Sequence, residues 1–286
     1  MIRVDDNTLG VPPTGLDVLR ELVHERTGLF FDARRTDTLA ERLAPVVVGR
    51  GFRSFLDLYY LLKYDEAAAM PAWREVFDAL AVPETYFWRE IDQIKAIVCR
   101  VIPELVRRAH GDAVRIWSVP CASGEEPLTI AIALEEAGWF DRAAIEIHGS
   151  DASPAAIARA RTGRYRPRSM RALPPYLVEK YFSQTDGTFV PAPSLHRRVV
   201  SWTTVNLLAA DEVVSFARSP VVFCRNAFIY FSSQAIRRVV DTFASAMPTP
   251  GYLCVGASES LLSVTTRFTL EEIDGAFVYV KQGFDA

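Results

Sequence analysis

Val114-Arg115-Ile116-Trp117-Ser118 is a short apolar run that passes through the small-residue turn Val119-Pro120-Cys121-Ala122-Ser123-Gly124 into the acidic pair Glu125-Glu126 ahead of Pro127. Acids favour the positive end of a helix, so the segment reads as a strand, a turn and a helix opened by carboxylates. Such a unit belongs to a parallel sheet covered by helices on both faces, with its ligand crevice at the carboxyl ends of the strands. The flanking sequence agrees. A helix is expected over roughly Ile91 to Ala109, a strand at Val114 to Ser118, a helix at Glu126 to Ala137, a strand at Ile145 to Ser150 and a helix at Pro154 to Thr162. Between Arg164 and Val205 the alternation lapses into a Pro- and Arg-rich stretch and then short β-branched pieces, Thr188-Phe189-Val190 and Arg198-Val199-Val200-Ser201-Trp202, which read as a small antiparallel insertion. The pattern resumes with a strand at Pro220 to Cys224, a helix at Ser233 to Ala246, a strand at Tyr252 to Gly256 and a closing pair at Phe268 to Glu272 and Ala276 to Lys281.

From Thr14 to about Leu80 the apolar residues recur at helical spacing instead: Leu16, Leu19, Leu22 and Val23, then Leu39, Leu43 and Val46, then Phe55, Leu58, Leu61 and Leu62. Gly28, Gly51 and Lys63-Tyr64-Asp65 punctuate them, giving about four short helices. The expected layout is an all-α domain over residues 1–85 and an α/β domain over residues 86–286, with the small β subdomain at about 183–205. At 286 residues with half of them apolar, the chain can bury a substantial core. A net charge of −3 gives no globally basic surface for nucleic acid. The four cysteines, Cys99, Cys121, Cys224 and Cys254, form no C-x-x-C pair and fit reduced thiols. The N-terminal residues Met1 to Asp6 lack the apolar core of a signal peptide, and no apolar run approaches the ~20 residues of a membrane span. The expectation is a cytoplasmic protein without membrane insertion.

A second strand, Val221-Val222-Phe223-Cys224, runs into Arg225-Asn226-Ala227-Phe228-Ile229-Tyr230-Phe231 and sets polar groups and a tyrosine at the far wall of the crevice. The wording W-S-x-x-C-x-S-G-E-E-P followed by F-C-R-N-x-x-I-Y-F resembles the CheR-type methyltransferases, which esterify glutamate side chains of bacterial chemoreceptors. The resemblance implies a Rossmann-like, S-adenosylmethionine-dependent methyltransferase domain with a small inserted antiparallel β subdomain, preceded by an all-α N-terminal domain. It implies S-adenosylmethionine as cofactor, S-adenosylhomocysteine as product, and no metal. That cofactor carries no phosphate, so a glycine-rich phosphate loop is not required.

Taken residue by residue, the resemblance makes Glu126 a better cofactor contact than Glu125, although both acids would suit a first helical turn on charge alone. Asp151 ends a strand where nucleoside-binding folds hold a ribose diol, and Ser153 can cap the following helix in its place. Ala160-Arg161-Thr162-Gly163-Arg164-Tyr165 is similar to the family's A-R-x-G-x-Y run. Asn206-Leu207-Leu208 resembles the N-L-L segment beside the adenine. Pro83-Glu84-Thr85-Tyr86-Phe87-Trp88-Arg89-Glu90 resembles N-x-T-x-F-F-R followed by an acid, which puts Thr85 and Arg89 at the cofactor and Arg89 near the incoming carboxylate. Arg225 and Asn226 would line the pocket, and Tyr230 would flank the sulfonium and orient the substrate. Gly256-Ala257-Ser258-Glu259-Ser260-Leu261 is similar to G-H-S-E-N-L. Pro83, Pro120, Ala257 and Ser260 depart from the family pattern, and Pro120 predicts a stiffer turn. No general base is required, because a glutamate is already ionised at neutral pH. The four histidines sit in no ligand spacing.

The implied partner is the helical cytoplasmic domain of chemoreceptors, met by a basic face of the N-terminal bundle carrying Arg34, Arg35, Arg42, Arg50 and Arg53. The segment between Phe182 and Asn206 is about three residues shorter than in relatives that hold a receptor's C-terminal peptide, so no peptide tether is expected. Two other readings stand beside the glutamate O-methyltransferase: a catalytically weak, cofactor-binding regulatory module, and a methyltransferase for a small molecule or nucleic acid.

Overall fold

Four helices form where the helical spacing predicts them: α1 Pro13–Thr27, α2 Thr36–Gly49, α3 Phe55–Tyr64 and α4 Glu66–Leu80. Their starts are fixed locally. Ser54 and Asp57 form a reciprocal capping box at α3, and the Asp65 carboxylate accepts the Ala68 N–H at α4. Leu19, Val23, Leu39, Leu43, Val47, Leu58 and Val76 are fully removed from solvent between the helices. Each contributes about 1.5–3 kcal/mol by burial.

The computed structural model describes residues 13–281 and Gly283. Residues 1–12, on which the absence of a signal peptide was read, lie outside the described part. The chain divides into two compact units, one made of the residues up to Val82 together with Tyr230–Ala235, the other of Pro83–Ile229 and Ile236 onward. The short segment joins the bundle through backbone pairing, in which Leu29 bridges Phe231 and the Phe30 N–H donates to the Tyr230 carbonyl at 2.8 Å.

The second unit begins with a helical rod: α5 Ile91–Ala96, a π turn at Ile97–Val101 and α6 Ile102–Ala109. The widened turn falls just before Pro103, which has no N–H to give the carbonyl four residues back. The indole N–H of Trp139 donates to the Val98 carbonyl within that turn. There follow β1 Val114–Ser118, α7 Glu125–Glu136, β2 Ile145–Asp151, α8 Pro154–Thr162, α9 Pro175–Tyr181, β3 Phe182–Thr185, β4 Thr188–Pro191, α10 Pro193–His196 and β5 Val199–Thr204. The unit closes with α11 Ala210–Ala217, β6 Val221–Phe223, α12 Ser233–Ala246, β7 Gly251–Cys254, β8 Thr269–Ile273 and β9 Ala276–Lys281. The main sheet has seven strands in the order β5-β2-β1-β6-β7-β9-β8, parallel from β5 to β7 and antiparallel at β9 and β8. The order reverses direction between β1 and β6, which opens a crevice at their carboxyl ends.

One expectation is corrected. Arg198 to Trp202 is not part of the small insertion: β5 is the edge strand of the main sheet, paired in parallel with β2 from Ile147↔Val199 to Asp151↔Thr204. The insertion is a single hairpin, β3 with β4, turned by Asp186-Gly187, both at positive φ. Trp202 holds β5 in the main sheet, since its indole lies against Gly149 of β2 and Gly124 at the start of α7, where a Cβ would come within 2.8 Å and 2.9 Å of it. Among the described residues no helix is long and apolar enough to cross a membrane.

Candidate functional site

The turn after β1 is tied to both neighbouring strands. The Val119 N–H donates to Phe223 O of β6 at 2.8 Å, and the Cys121 N–H donates to Ser150 O of β2 at 2.7 Å. The Val119–Pro120 peptide is cis. Ala122 takes a positive φ and presents its N–H to Asp151 Oδ2 at 2.9 Å. Asp151 Oδ1 accepts the Ser153 N–H at 2.9 Å, while Ser153 Oγ accepts the Ala156 N–H at the start of α8. Ser153 is therefore the cap, as expected, yet Asp151 is not released by it: the carboxylate joins the β1 turn to the start of α8. Just beyond, the Val205 N–H donates to Asp151 O, followed by the buried pair Asn206 and Leu207. Asn206 Oδ1 accepts the Leu208 N–H, and its own N–H donates to Glu212 Oε2.

The crevice floor is an ion pair. Glu126 Oε1 accepts Ser118 Oγ–H at 2.7 Å and Oε2 accepts Arg225 Nε–H at 2.6 Å. The Arg225 side chain is only 2 % exposed, so it is no solvated charge. Its remaining donors reach the carbonyls of Glu90 and Arg89 at 2.9 Å and 3.0 Å. Arg225 thus fastens the segment that carries Arg89 to the first turn of α7. The same segment is held by Phe87 in the core, by the Phe87 N–H on Ser169 O, and by the Trp88 N–H on Thr129 Oγ1. Trp88 and Glu90, on either side of Arg89, both take positive φ, a strained geometry costing about 1–3 kcal/mol per residue that only surrounding contacts sustain.

Arg89 itself is 23 % exposed, donates Nη1–H to Glu84 O at 2.8 Å and lies 5.7 Å from the centroid of Tyr86. Thr85 is partly buried in the same segment. Asn226 is left-handed, and its Nδ2–H donates to Glu90 Oε1 at 3.2 Å. Two acids emerge that the sequence reading left without a role. Glu259 accepts the N–H groups of Asn226, Ile229 and Gly256, and Glu90 accepts the Asn226 amide and the Ala257 N–H. Both stand within motifs already singled out, but their partners are N–H groups brought in from distant segments, which the sequence does not display.

Glu125 is buried and turned away from Glu126, accepting Ser123 Oγ–H at 2.8 Å and Ser169 Oγ–H at 2.9 Å. Burial raises its pKa despite those bonds. Burial also pushes up the thiols of Cys121 and Cys224, and that of Cys254 to about 12, which keeps all three neutral. His148 and His196 are spent on Ser201 Oγ and Ala160 O. The second unit therefore brings together Arg89, Glu126, Asp151, Asn206, Leu207, Arg225 and Asn226 by strand ends and shared hydrogen bonds. Tyr230 belongs to the first unit, where it lines a cavity of about 260 Å³ with Phe30, Arg35, Arg42 and Leu80. Of the other bundle arginines, Arg50 makes a bidentate pair with Glu75, while Arg34 and Arg53 are exposed.

A sheet of this order with a small-residue turn after its first strand and an acid at the tip of its second defines a Rossmann-like, nucleoside-binding α/β domain. Two family models match the chain: the CheR methyltransferase SAM binding domain over residues 83–277 and the CheR methyltransferase all-alpha domain over residues 14–81. The chain belongs to the CheR methyltransferase family. It is 32 % identical to chemotaxis protein methyltransferase 2 of Vibrio cholerae over 96 % of this chain and 95 % of that one. It is 26 % identical to chemotaxis protein methyltransferase 1 of Pseudomonas aeruginosa over 92 % and 96 %. Among solved structures, monomeric WbdD aligns at a TM-score of 0.41 and 14 % identity, covering 70 % of this chain and 46 % of that one.

Proposed function

We propose that this methyltransferase esterifies glutamate side chains on the helical cytoplasmic domain of chemoreceptors. The observation that carries the reading is Arg89, a partly exposed cation whose backbone is strained on both sides and clamped by the buried Arg225, itself paired with Glu126. A guanidinium fixed in this way can hold an incoming carboxylate by a bidentate pair. The donor set of the crevice fits S-adenosylmethionine. Asp151, a carboxylate acceptor at a strand tip, suits a ribose diol; Asn206 and Leu207 suit a base; Thr85, Glu126 and Asn226 suit a zwitterionic amino acid, with Arg225 holding Glu126 from beneath. That cofactor supplies an electrophilic methyl group on sulfur. The chain's own task is to align and desolvate, since the acceptor carboxylate is already a nucleophile at neutral pH.

Arg34, Arg35, Arg42, Arg50 and Arg53 of the bundle are the proposed receptor-facing set, with no C-terminal peptide tether. Arg35 and Arg42 reinforce it by flanking the Tyr230 cavity, while Arg50 is already neutralised by Glu75. Mass spectrometry of receptor peptides after incubation with enzyme and cofactor tests the proposal. A single methyl group on glutamate, removed by mild base, is expected; methylation confined to lysine, arginine or the amino terminus would refute it.

A further inference from the structure

Between Pro154 and Pro175 the chain holds six arginines, Arg159, Arg161, Arg164, Arg166, Arg168 and Arg171, and no acid, within a chain whose net charge is −3. All six are exposed. Arg161 and Arg164 spend one N–H each on neutral acceptors, Trp202 O and Thr188 Oγ1, so their charges remain uncompensated. Arg159 lies within electrostatic reach of the buried Glu125. Among the described residues Arg166 makes no side-chain hydrogen bond or ion pair. The exposed acid that meets this surface is Glu84, gripped through Oε2 by Arg168 and through Oε1 by Arg171 at 2.8 Å. The Arg171 guanidinium lies 3.6 Å from the centroid of Tyr86, and Arg89 covers the same ring at 5.7 Å. Glu84 also lends its carbonyl to Arg89. Arg168 and Arg171 thus extend the arginine stretch to the rim of the crevice, and Glu84 shows that these two accept a carboxylate in a forked geometry.

We infer that this face of the second unit docks the acidic side of the substrate helix next to the glutamate being methylated, in addition to any contact made by the N-terminal bundle. The inference rests on the proposed glutamate-bearing substrate. A stretch that carries six exposed arginines against one exposed acid, Glu84, stores self-repulsion, which a strongly acidic partner relieves and a neutral one does not. An amphipathic helix with glutamates at i, i+3, i+4 and i+7 presents carboxylates along one stripe and matches such a surface.

The test is fluorescence anisotropy of a labelled helical peptide with that glutamate pattern, beside its glutamine counterpart, against the full-length protein. Arg166→Glu is the informative variant because the exposed side chain has no hydrogen bond or ion pair to lose, and Arg168→Ala is the second. Binding of the glutamate peptide should weaken about tenfold in Arg166→Glu and fall with added salt, with S-adenosylhomocysteine affinity unchanged by calorimetry. Equal affinity for the glutamine peptide, unchanged affinity in both variants, or tighter binding of a DNA duplex by the same residues would overturn the inference. The assay reads binding without methyl transfer, so a failure of glutamate esterification is seen separately. Esterification with an unchanged KM for receptor in Arg166→Glu would sink the docking surface alone.

Discussion

Arg225 and Glu126 face each other across 2.6 Å at the bottom of the crevice, joining the segment that follows β6 to the first turn of α7. Arg225 is buried and Glu126 partly so, and each member has further partners: Ser118 for the acid, and the carbonyls of residues 89 and 90 for the guanidinium. Removing Glu126 leaves the buried guanidinium only Glu90, 4.0 Å away, to balance its charge. Glu126→Leu should cost about 3–5 kcal/mol in urea unfolding. Combining it with Arg225→Met should restore most of that stability while S-adenosylhomocysteine binding stays lost, because the Arg89 segment has then lost its clamp. Equal stability of Glu126→Leu and the double variant would show that the pair is not the structural joint described.

The Asp151 carboxylate accepts, among its partners, the backbone N–H groups of Ala122 and Ser153. In Asp151→Asn one oxygen becomes an amide NH₂ directed at a donor, which loses about 1–3 kcal/mol and opens the turn. S-adenosylhomocysteine affinity should fall about 10–100-fold by calorimetry, with a smaller change in melting temperature.

Gly124 and Gly187 are both at positive φ but differ in surroundings. A methyl at Gly124 would come within 2.9 Å of the Trp202 indole, whereas nothing lies within 4 Å of one at Gly187. Gly124→Ala should destabilise by about 2–3 kcal/mol from strain and overpacking together. Gly187→Ala should cost only about 1 kcal/mol, from backbone strain alone. Denaturant midpoints separate the two.

Burial raises the pKa of Glu125 in the folded protein. A carboxyl raised in this way penalises folding while it is charged, at neutral pH, and the penalty disappears as pH falls through the folded pKa toward the unfolded value. Wild type should therefore gain stability relative to Glu125→Gln as the pH is lowered from 7 toward the ordinary carboxylate range. A stability difference that is flat with pH, or that moves the other way, would show that Glu125 is not buried as a charge.

The periodicities made most elements legible. Val114 to Ser118 and Ser233 to Ala246 carry unmixed strand and helix patterns, and both form over those residues. Strand pairing was not legible, because it depends on partners far away in sequence. Arg198 to Trp202 reads as an insertion until Trp202 is seen lying on Gly149 and Gly124. The site was legible as a set of residue types at strand ends, but the direction of each side chain was not. Arg225 reads as pocket lining and proves to be a buried clamp, and Glu90 and Glu259 act through backbone N–H groups that no sequence pattern displays.

The central claim is that Arg89 positions a glutamate carboxylate for methylation. The most direct measurement is transfer of labelled methyl from S-adenosylmethionine to membranes containing the receptors of the source organism, scored as methanol released by base, with wild type beside Arg89→Ala. Base-labile label in the wild type that falls about 100-fold or more in Arg89→Ala is the predicted result. Label that resists base, or base-labile label that persists in Arg89→Ala, would contradict the account.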